Sequence, residues 1–88
     1  MAASHTIVFS KFAARDLKRV DDETRRRIGQ KLLYFLRQDD PLAYAKPLID
    51  ARIGSYRFRI GHYRVVFDMH GEQINVLRVV HRQSAYKK

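Results

Sequence analysis

The stretch that decides the fold is SYRFRIGHYRVVFDMHGEQINVLRVVHRQSAY, from Ser55 to Tyr86. Its opening letters YRFRI alternate apolar and basic side chains, which is the period-two pattern of a half-buried strand. Two glycine-containing dipeptides then interrupt the apolar runs and predict tight hairpin turns. The predicted strands lie at 56–60, 63–69 and 73–81, and the turns are Gly61-His62 and His70-Gly71.

The first half of the chain predicts one strand, over 5–10, followed by two helices. Ser10 is a candidate N-cap for a helix over 11–20, and Asp21 or Asp22 caps a second helix that runs to about Gln38. The apolar stripes of the two helices are Ala13, Leu17 and Val20, then Ile28, Leu32, Phe35 and Leu36. Pro41 ends the second helix, and residues 42–54 predict an irregular connector with room for one helical turn.

These elements predict an α+β fold in the order β-α-α-β-β-β, with an N-terminal helical hairpin packed on one face of a small antiparallel sheet. At 88 residues the chain is long enough for one core, so we expect a single domain over residues 1–88. It contains no cysteine, no apolar signal-peptide core and no apolar run of membrane-spanning length. We therefore expect a cytoplasmic protein with no membrane partner.

Charge is the strongest global clue to function. Eighteen Lys and Arg against nine Asp and Glu give a net charge of +9. Residues 52–88 hold eight basic and two acidic side chains, +6, whereas residues 1–51 hold ten and seven, +3. Arginine outnumbers lysine by twelve to six, and guanidinium binds phosphate in a bidentate manner. A generic basic surface is the alternative, but the pattern favours a nucleic-acid partner.

Strand alternation predicts which basic side chains share a face. If Phe58 packs against the helices, then Arg57, Arg59 and Arg64 point to the opposite face. The predicted basic set on that face is Arg57, Arg59, Arg64 and Arg82, with Arg78 as a doubtful member and Tyr86 at the edge. The alternative is a solvated face with surface ion pairs. Among the acidic residues, however, only Asp68 occupies a position in the strand alternation that lets its side chain reach these arginines. Such a face is suited to holding phosphate.

The element order, with YRFRIGHYRVVF and the closing VVHRQSAY, resembles the RelE/ParE superfamily of bacterial and archaeal toxins over essentially the whole chain. The RelE branch implies a ribosome-dependent endoribonuclease (mRNA interferase) that cleaves messenger RNA in the ribosomal A site without a metal ion or other cofactor. In that reaction the 2′-hydroxyl attacks the adjacent phosphate and leaves a 2′,3′-cyclic phosphate and a 5′-hydroxyl.

The resemblance also implies roles for individual residues. Arg57 and Arg59 match a basic pair that is usually lysine, and Arg64 matches the arginine that stabilises the transition-state phosphate. Arg82 matches the arginine near the leaving oxygen, and Tyr86 matches a C-terminal tyrosine that stacks on a base or helps to activate the hydroxyl. Lys87 and Lys88 would add phosphate affinity, as would Arg78.

The general base is the weak point of this assignment. Arginine stays protonated in proteins, so replacing the family's lysines with Arg57 and Arg59 leaves the base unassigned. Tyr86, surrounded by cations, is the preferred candidate. His81 and His62 titrate in a more useful range, but they are better interpreted as a packing residue and a turn residue. No histidine has partners at metal-ligand spacing, so no metal site is predicted.

Two other functions remain open. A ParE-like member would inhibit DNA gyrase by binding and cut nothing, and a third possibility is a sheet that binds nucleic acid without catalysis. The resemblance further implies an acidic, partly disordered cognate antitoxin that covers the basic face. The toxin would then contact operator DNA only indirectly, through the antitoxin complex.

Overall fold

The computed structural model describes residues 5–49 and 52–85 and confirms the α+β fold. The elements are β1 (Thr6–Phe9), α1 (Lys11–Arg19), α2 (Asp22–Leu36), a 3₁₀ turn (Pro41–Tyr44), β2 (Ala45–Pro47), β3 (Tyr56–Ile60), β4 (Tyr63–His70), β5 (Gln73–His81) and α3 (Arg82–Ala85). The short strand β2 and the 3₁₀ turn occupy the connector that was predicted to be irregular. Arg82 begins α3 and does not extend the last strand.

The five strands form one sheet in the order β1-β5-β4-β3-β2. Strands β2 to β5 pair antiparallel, as predicted for the sheet, whereas β1 pairs parallel to β5 and makes the sheet as a whole mixed. Tight hairpins force antiparallel pairing between consecutive strands, but β1 reaches β5 from the other end of the chain and no hairpin fixes its direction. Strand β4 lies at the centre of the sheet.

Both hairpin turns depend on glycine. Gly61 and Gly71 have φ values of 59° and 60°, a region that other residues rarely adopt, and each is the first of two turn residues. This is the type II′ pattern, whose twist matches that of the flanking strands. The second turn is Gly71-Glu72, one residue later than predicted, because β4 continues through His70.

The core lies between the two helices and one face of the sheet. Its buried members are Ala13, Ile28, Leu32, Phe35, Phe58, Ile60, Val65, Phe67, Ile74, Val76 and Val79. Phe58 stacks on Phe35 of α2 and on Phe67 of β4, with ring centroids 4.4 and 4.3 Å apart. Phe58 therefore packs against the helices, and this fixes the opposite direction for Arg57 and Arg59.

A register shift separates the two halves of β5. Phe67 pairs with Val76 but Val66 pairs with Arg78, so Leu77 is an extra residue opposite this step. A Cβ added to Gly54 would lie 2.6 Å from Val66 Cγ1 and 3.2 Å from Leu77 Cδ1. Leu77 therefore lies on the Val66 side of the sheet, whereas simple alternation placed it on the core side with Val79.

Helix α1 takes the place of a strand along the second half of β5. Strand β1 ends opposite Val76, so the later residues of β5 pair with β4 on one side but have no strand neighbour on the other. Ser10, the N-cap of α1, donates its hydroxyl to the Leu77 carbonyl at 2.8 Å. Six residues later, the buried Asp16 carboxylate accepts a hydrogen bond from the Val79 amide at 2.8 Å. Two polar side chains of α1 thus hydrogen-bond the exposed edge of β5.

Candidate active site

A concavity of about 190 Å³ lies across β2, β3 and β4. We call it the sheet concavity, and its described lining residues are Tyr44, Lys46, Arg57, Arg59 and Arg64. Four of these five side chains are cationic, and no carboxylate is among them. A small pocket with this lining is suited to an anion such as a phosphate group.

Strand pairing explains why these side chains meet. Arg59 and Arg64 are direct partners across β3 and β4, and Lys46 is the direct partner of Arg57 across β2 and β3. Opposite residues in antiparallel strands have Cβ atoms about 5 Å apart, so each pair presents two cations side by side. The structure thus brings together three of the four arginines that alternation placed on one face.

Arg64 differs from the other cations in its burial. It is 5% exposed, because β4 is flanked by β3 and β5, whereas Arg59 and Lys46 are exposed. A guanidinium held on a central strand has little freedom, and its charge acts in a region of lower polarity than bulk water. Arg64 is therefore the preorganised cation of the site, and Arg59 and Lys46 are its adaptable neighbours.

Tyr44 forms the aromatic wall of the sheet concavity. Its ring packs against Phe35 and Tyr34, with centroid distances of 5.3 and 5.8 Å, and its hydroxyl donates to Gln38 Oε1 at 3.4 Å. The neighbouring Tyr34 hydroxyl, together with burial, raises the pKa of Tyr44 above the usual value of 10.0. The Tyr44 phenol thus keeps its proton near neutral pH and can donate a hydrogen bond, but it is a poor base.

Lys46 and Tyr44 were missed by the sequence analysis. A three-residue strand shows no period, and the 3₁₀ turn before it has no helical stripe, so nothing placed these two residues beside the arginines. One signal was present, because lysine next to proline is typical of a protected edge strand. Recognising Ala45–Pro47 as an edge strand would have brought Lys46 to this face.

Arg82 is placed at the end of the sheet and is absent from the described lining of the concavity. Its amide donates to the His62 carbonyl at 2.7 Å, which holds the start of α3 against the β3–β4 turn. His81 packs edge-on against Tyr63 at 5.3 Å, as expected from its core-side position. Tyr86, Lys87 and Lys88 lie outside the described residues, so their predicted roles stay predictions.

Arg78 makes an ion pair on another part of the surface. Its Nε and Nη2 atoms donate to Asp16 Oδ2 and Oδ1 at 2.8 and 3.1 Å. Burial alone would raise the pKa of Asp16, but the Arg78 and Val79 hydrogen bonds and the charges of Arg78 and Arg19 outweigh it and lower the pKa below 3.8. The predicted contribution of Arg78 to RNA binding remains untested, and the structure does not bring it to the sheet concavity.

Asp68 is the acidic residue that strand alternation allows to reach the arginines, but its hydrogen bond is to the backbone before β3. Its Oδ1 accepts the Ser55 amide at 2.8 Å and fixes the chain before β3. Within residues 5–49 and 52–85, no three His, Asp or Glu side chains come together as a metal site, and no helix is long and apolar enough to cross a membrane. The chemistry available in the sheet concavity is therefore that of its cations and its phenol.

Comparison with known proteins decides the family. The model of the ParE toxin family of type II toxin–antitoxin systems matches residues 7–86, nearly the whole chain. The chain belongs to the RelE/ParE toxin superfamily. It is a toxin of a type II toxin–antitoxin system, and the resemblance seen in the sequence is confirmed.

The individual relatives carry the RelE name. The toxin is 33% identical over 84 residues to Toxin RelE3 of Methanocaldococcus jannaschii. The alignment covers 91% of this chain and 93% of the relative. The RelB-RelE complex of Methanococcus jannaschii matches with a TM-score of 0.70 and 28% identity, over 90% of this chain and 94% of that one. The RelBE2 complex of Mycobacterium tuberculosis matches with a TM-score of 0.66 and 30% identity, over 90% of this chain and 99% of that one.

Proposed function

We propose that this toxin is an endoribonuclease that cleaves messenger RNA in the ribosomal A site, and that it acts in the cytoplasm. The observation that carries the proposal is the sheet concavity, in which the buried Arg64 lies among Arg57, Arg59 and Lys46. A protein that only binds a partner surface does not need a buried guanidinium inside a phosphate-sized pocket. Similarity to Toxin RelE3 and to two RelBE complexes adds support.

The proposed reaction needs a nucleophile, charge stabilisation and two proton transfers. The 2′-oxygen attacks the adjacent phosphorus and loses its proton to a base, while the bond from phosphorus to the 5′-oxygen breaks. The leaving 5′-oxygen takes up a proton from water, and the products are a 2′,3′-cyclic phosphate and a 5′-hydroxyl. Arg64 stabilises the pentacovalent phosphate, and Arg57 and Arg59 bind its non-bridging oxygens. Arg82 is assigned to the leaving oxygen.

Lys46 is the proposed proton acceptor. Among the described lining residues, an amine can release its proton and take up another, whereas guanidinium groups cannot. We expect Lys46→Arg, which keeps the charge, to lower the cleavage rate about a hundredfold or more and to flatten the rise of rate with pH. The assay is single-turnover cleavage on programmed ribosomes across a pH series.

Tyr86→Phe is the matched comparison for the base, because Tyr86 is the candidate that the sequence favours. We expect this variant to keep its pH profile and to lose only the contribution of the hydroxyl. If Tyr86→Phe flattens the profile and Lys46→Arg does not, then Tyr86 is the base and the assignment of Lys46 is wrong.

The cleavage proposal is tested by primer extension on cellular messenger RNA after toxin expression. New 5′ ends within translated regions are expected for the natural chain and none for Arg64→Ala at equal protein level. Absence of new ends from the natural chain, with altered plasmid supercoiling in the same cells, would exclude a nuclease.

Gyrase inhibition is the second candidate function. It is favoured by one specific observation, the match of residues 7–86 to the ParE toxin family. Supercoiling by purified gyrase in the presence of the toxin separates this function from RNA cleavage. A gyrase inhibitor would retain its effect in Lys46→Arg, because binding needs no proton transfer.

An acidic cognate antitoxin is the proposed regulatory partner. An apolar groove of about 400 Å³ runs between β1 and α2, and we call it the β1–α2 groove. Its lining includes Ile7, Phe9, Leu32, Leu33 and Leu36, with Arg26 beside them. An amphipathic acidic segment would place apolar side chains in this groove and carboxylates against Arg26. The two similar solved structures are toxin–antitoxin complexes, which supports such a partner.

A further inference from the structure

A second cationic surface lies on α1, away from the sheet concavity. Phe12, Arg15, Asp16 and Arg19 follow one stripe of the helix, since they are spaced by three or four residues. Phe12 is 52% exposed, although burial of a phenylalanine ring is normally favourable. Lys11 Nζ lies 5.5 Å and Arg15 Cζ lies 5.9 Å from the centre of the Phe12 ring. The exposed aromatic face is therefore surrounded by cations.

Beside this ring is a basin of about 120 Å³, which we call the α1 basin. It is lined by Phe12, Arg15, Asp16, Arg19 and Arg78. The Asp16 carboxylate is already bound by the Arg78 guanidinium and the Val79 amide. Asp16 and Arg78 cancel in charge, so Arg15 and Arg19 leave the α1 basin with a net charge of about +2.

The chemistry of the α1 basin differs from that of the β1–α2 groove. The groove is almost wholly apolar, as a docking surface for a protein helix requires. In contrast, the α1 basin pairs a single exposed ring with guanidinium groups. This is the combination with which proteins bind single-stranded nucleic acid, because bases stack on the ring and phosphates bind the cations. The exposed ring, on which an unpaired base can stack, therefore favours a single RNA strand as the occupant of the α1 basin.

The α1 basin and the sheet concavity lie on opposite sides of β5 and share no described lining residue. Arg57 pairs with Val66, which pairs with Arg78, so two strand spacings of about 4.8 Å, roughly 10 Å in all, separate the backbones at Arg57 and Arg78. Val80, two residues after Arg78, is the direct partner of Arg64. A single RNA strand bound at Arg64 needs to cross only β5 to reach α1.

We infer that the α1 basin is a second contact site for the RNA strand bound in the sheet concavity. Phe12 stacks on one unpaired base of that strand, and Arg15 and Arg19 bind its phosphates. The inference rests on the proposed binding of RNA in the sheet concavity. The RNA-binding surface then extends beyond the sheet concavity, so that affinity and cleavage depend on nucleotides beyond the scissile phosphate.

The test measures binding of 2′-O-methyl RNA, which cannot be cleaved, to the purified toxin at two lengths. A dinucleotide, which carries a single internucleotide phosphate, is short enough to occupy only the sheet concavity, whereas a twelve-nucleotide RNA also reaches α1. We expect Phe12→Ala to weaken binding of the long RNA about tenfold and to leave the short RNA unchanged. Arg15→Gln and Arg19→Gln should each reduce the salt dependence of long-RNA binding by about one counterion.

Matched controls lie elsewhere on the surface. Val8→Ala removes a side chain that is 49% exposed, and Arg27→Gln removes one exposed cation from α2. Both should bind the long RNA like the natural chain. Equal binding of the long RNA by Phe12→Ala and the natural chain overturns the inference, as does equal weakening for both lengths. Loss of antitoxin binding with unchanged RNA affinity also overturns it and assigns Phe12 to a protein contact.

This design separates the inference from the proposed function. If the toxin fails to cleave RNA but Phe12→Ala selectively weakens binding of the long RNA, the α1 basin is an RNA contact site and the proposed nuclease activity is wrong. If the natural chain cleaves RNA and Phe12→Ala has no effect on affinity, the nuclease activity is supported and the RNA contact at the α1 basin is wrong. Because Phe12 is half exposed, its replacement should leave the thermal unfolding midpoint almost unchanged, and this is checked on the same samples.

Discussion

Arg64→Ala is expected to lower the rate of RNA cleavage by about a hundredfold or more, while RNA affinity falls only modestly. The buried guanidinium is fixed between β3 and β5, so its interaction strengthens as negative charge develops on the phosphate. The exposed cations Arg59 and Lys46 still attract the strand when Arg64 is gone. The measurement compares single-turnover cleavage on programmed ribosomes with equilibrium binding of uncleavable RNA.

Arg59→Ala is the matched control, since Arg59 is the direct strand partner of Arg64 but is exposed. It should weaken binding more than it slows the chemical step. Arg64→Lys keeps the charge but loses the planar guanidinium group with its paired hydrogen-bond donors. We expect this variant to cleave faster than Arg64→Ala but more slowly than the natural chain. Near-natural cleavage by Arg64→Ala would show that this residue holds structure and does not stabilise the transition state.

Asp16→Ala is expected to lower the free energy of unfolding by about 2–3 kcal/mol at neutral pH. The substitution leaves the buried Val79 amide without its acceptor, which costs about 1–3 kcal/mol, and also breaks the ion pair with Arg78. The full cost of a broken buried pair, about 3–5 kcal/mol, is an upper limit here because the Arg78 side chain is 47% exposed. Urea unfolding measures the difference.

The Asp16 contribution should depend on pH in a defined direction. The pKa of Asp16 is lowered in the folded protein, so the carboxylate stabilises the fold above the unfolded pKa of about 4 and loses this effect as pH falls through the folded value. The stability gap between the natural chain and Asp16→Asn should therefore close below about pH 4. A gap that stays constant down to pH 2 would contradict this role.

Asp21→Asn controls for a second carboxylate with a lowered pKa. Asp21 caps α2 and accepts the Thr24 amide and hydroxyl, which lowers its pKa, but it is exposed to solvent. Its replacement should cost less stability than that of Asp16, because asparagine is also a good N-cap. The comparison isolates the Asp16 contact with β5 from general effects of acid.

The local patterns of the chain were sufficient to predict most of the fold. Strict alternation over 56–60 and glycine at 61 and 71 determined β3, β4 and β5 almost to the residue, since period and turn chemistry are local properties. The same alternation placed Arg57, Arg59 and Arg64 on one face. Local patterns were sufficient here because consecutive hairpins leave little choice of register.

Long-range features could not be predicted in this way. The parallel pairing of β1 with β5 joins opposite ends of the chain, and the extra residue Leu77 depends on how α1 meets the sheet. Lys46 lies on a strand too short to show a period. Asp16 was visible in principle, because it interrupts the apolar stripe of Ala13, Leu17 and Val20, and a charged side chain at such a position usually has a buried partner.

The position of β5 has a consequence for the synthesis of the toxin. This strand is the last of the described strands along the sequence but second in the sheet, and it pairs with both β1 and β4. Until it leaves the ribosome, β4 has only β3 beside it, α1 has no edge to bind, and Arg64 lacks one of its two flanking strands. The sheet concavity therefore has its complete strand support only after β5 has been synthesised.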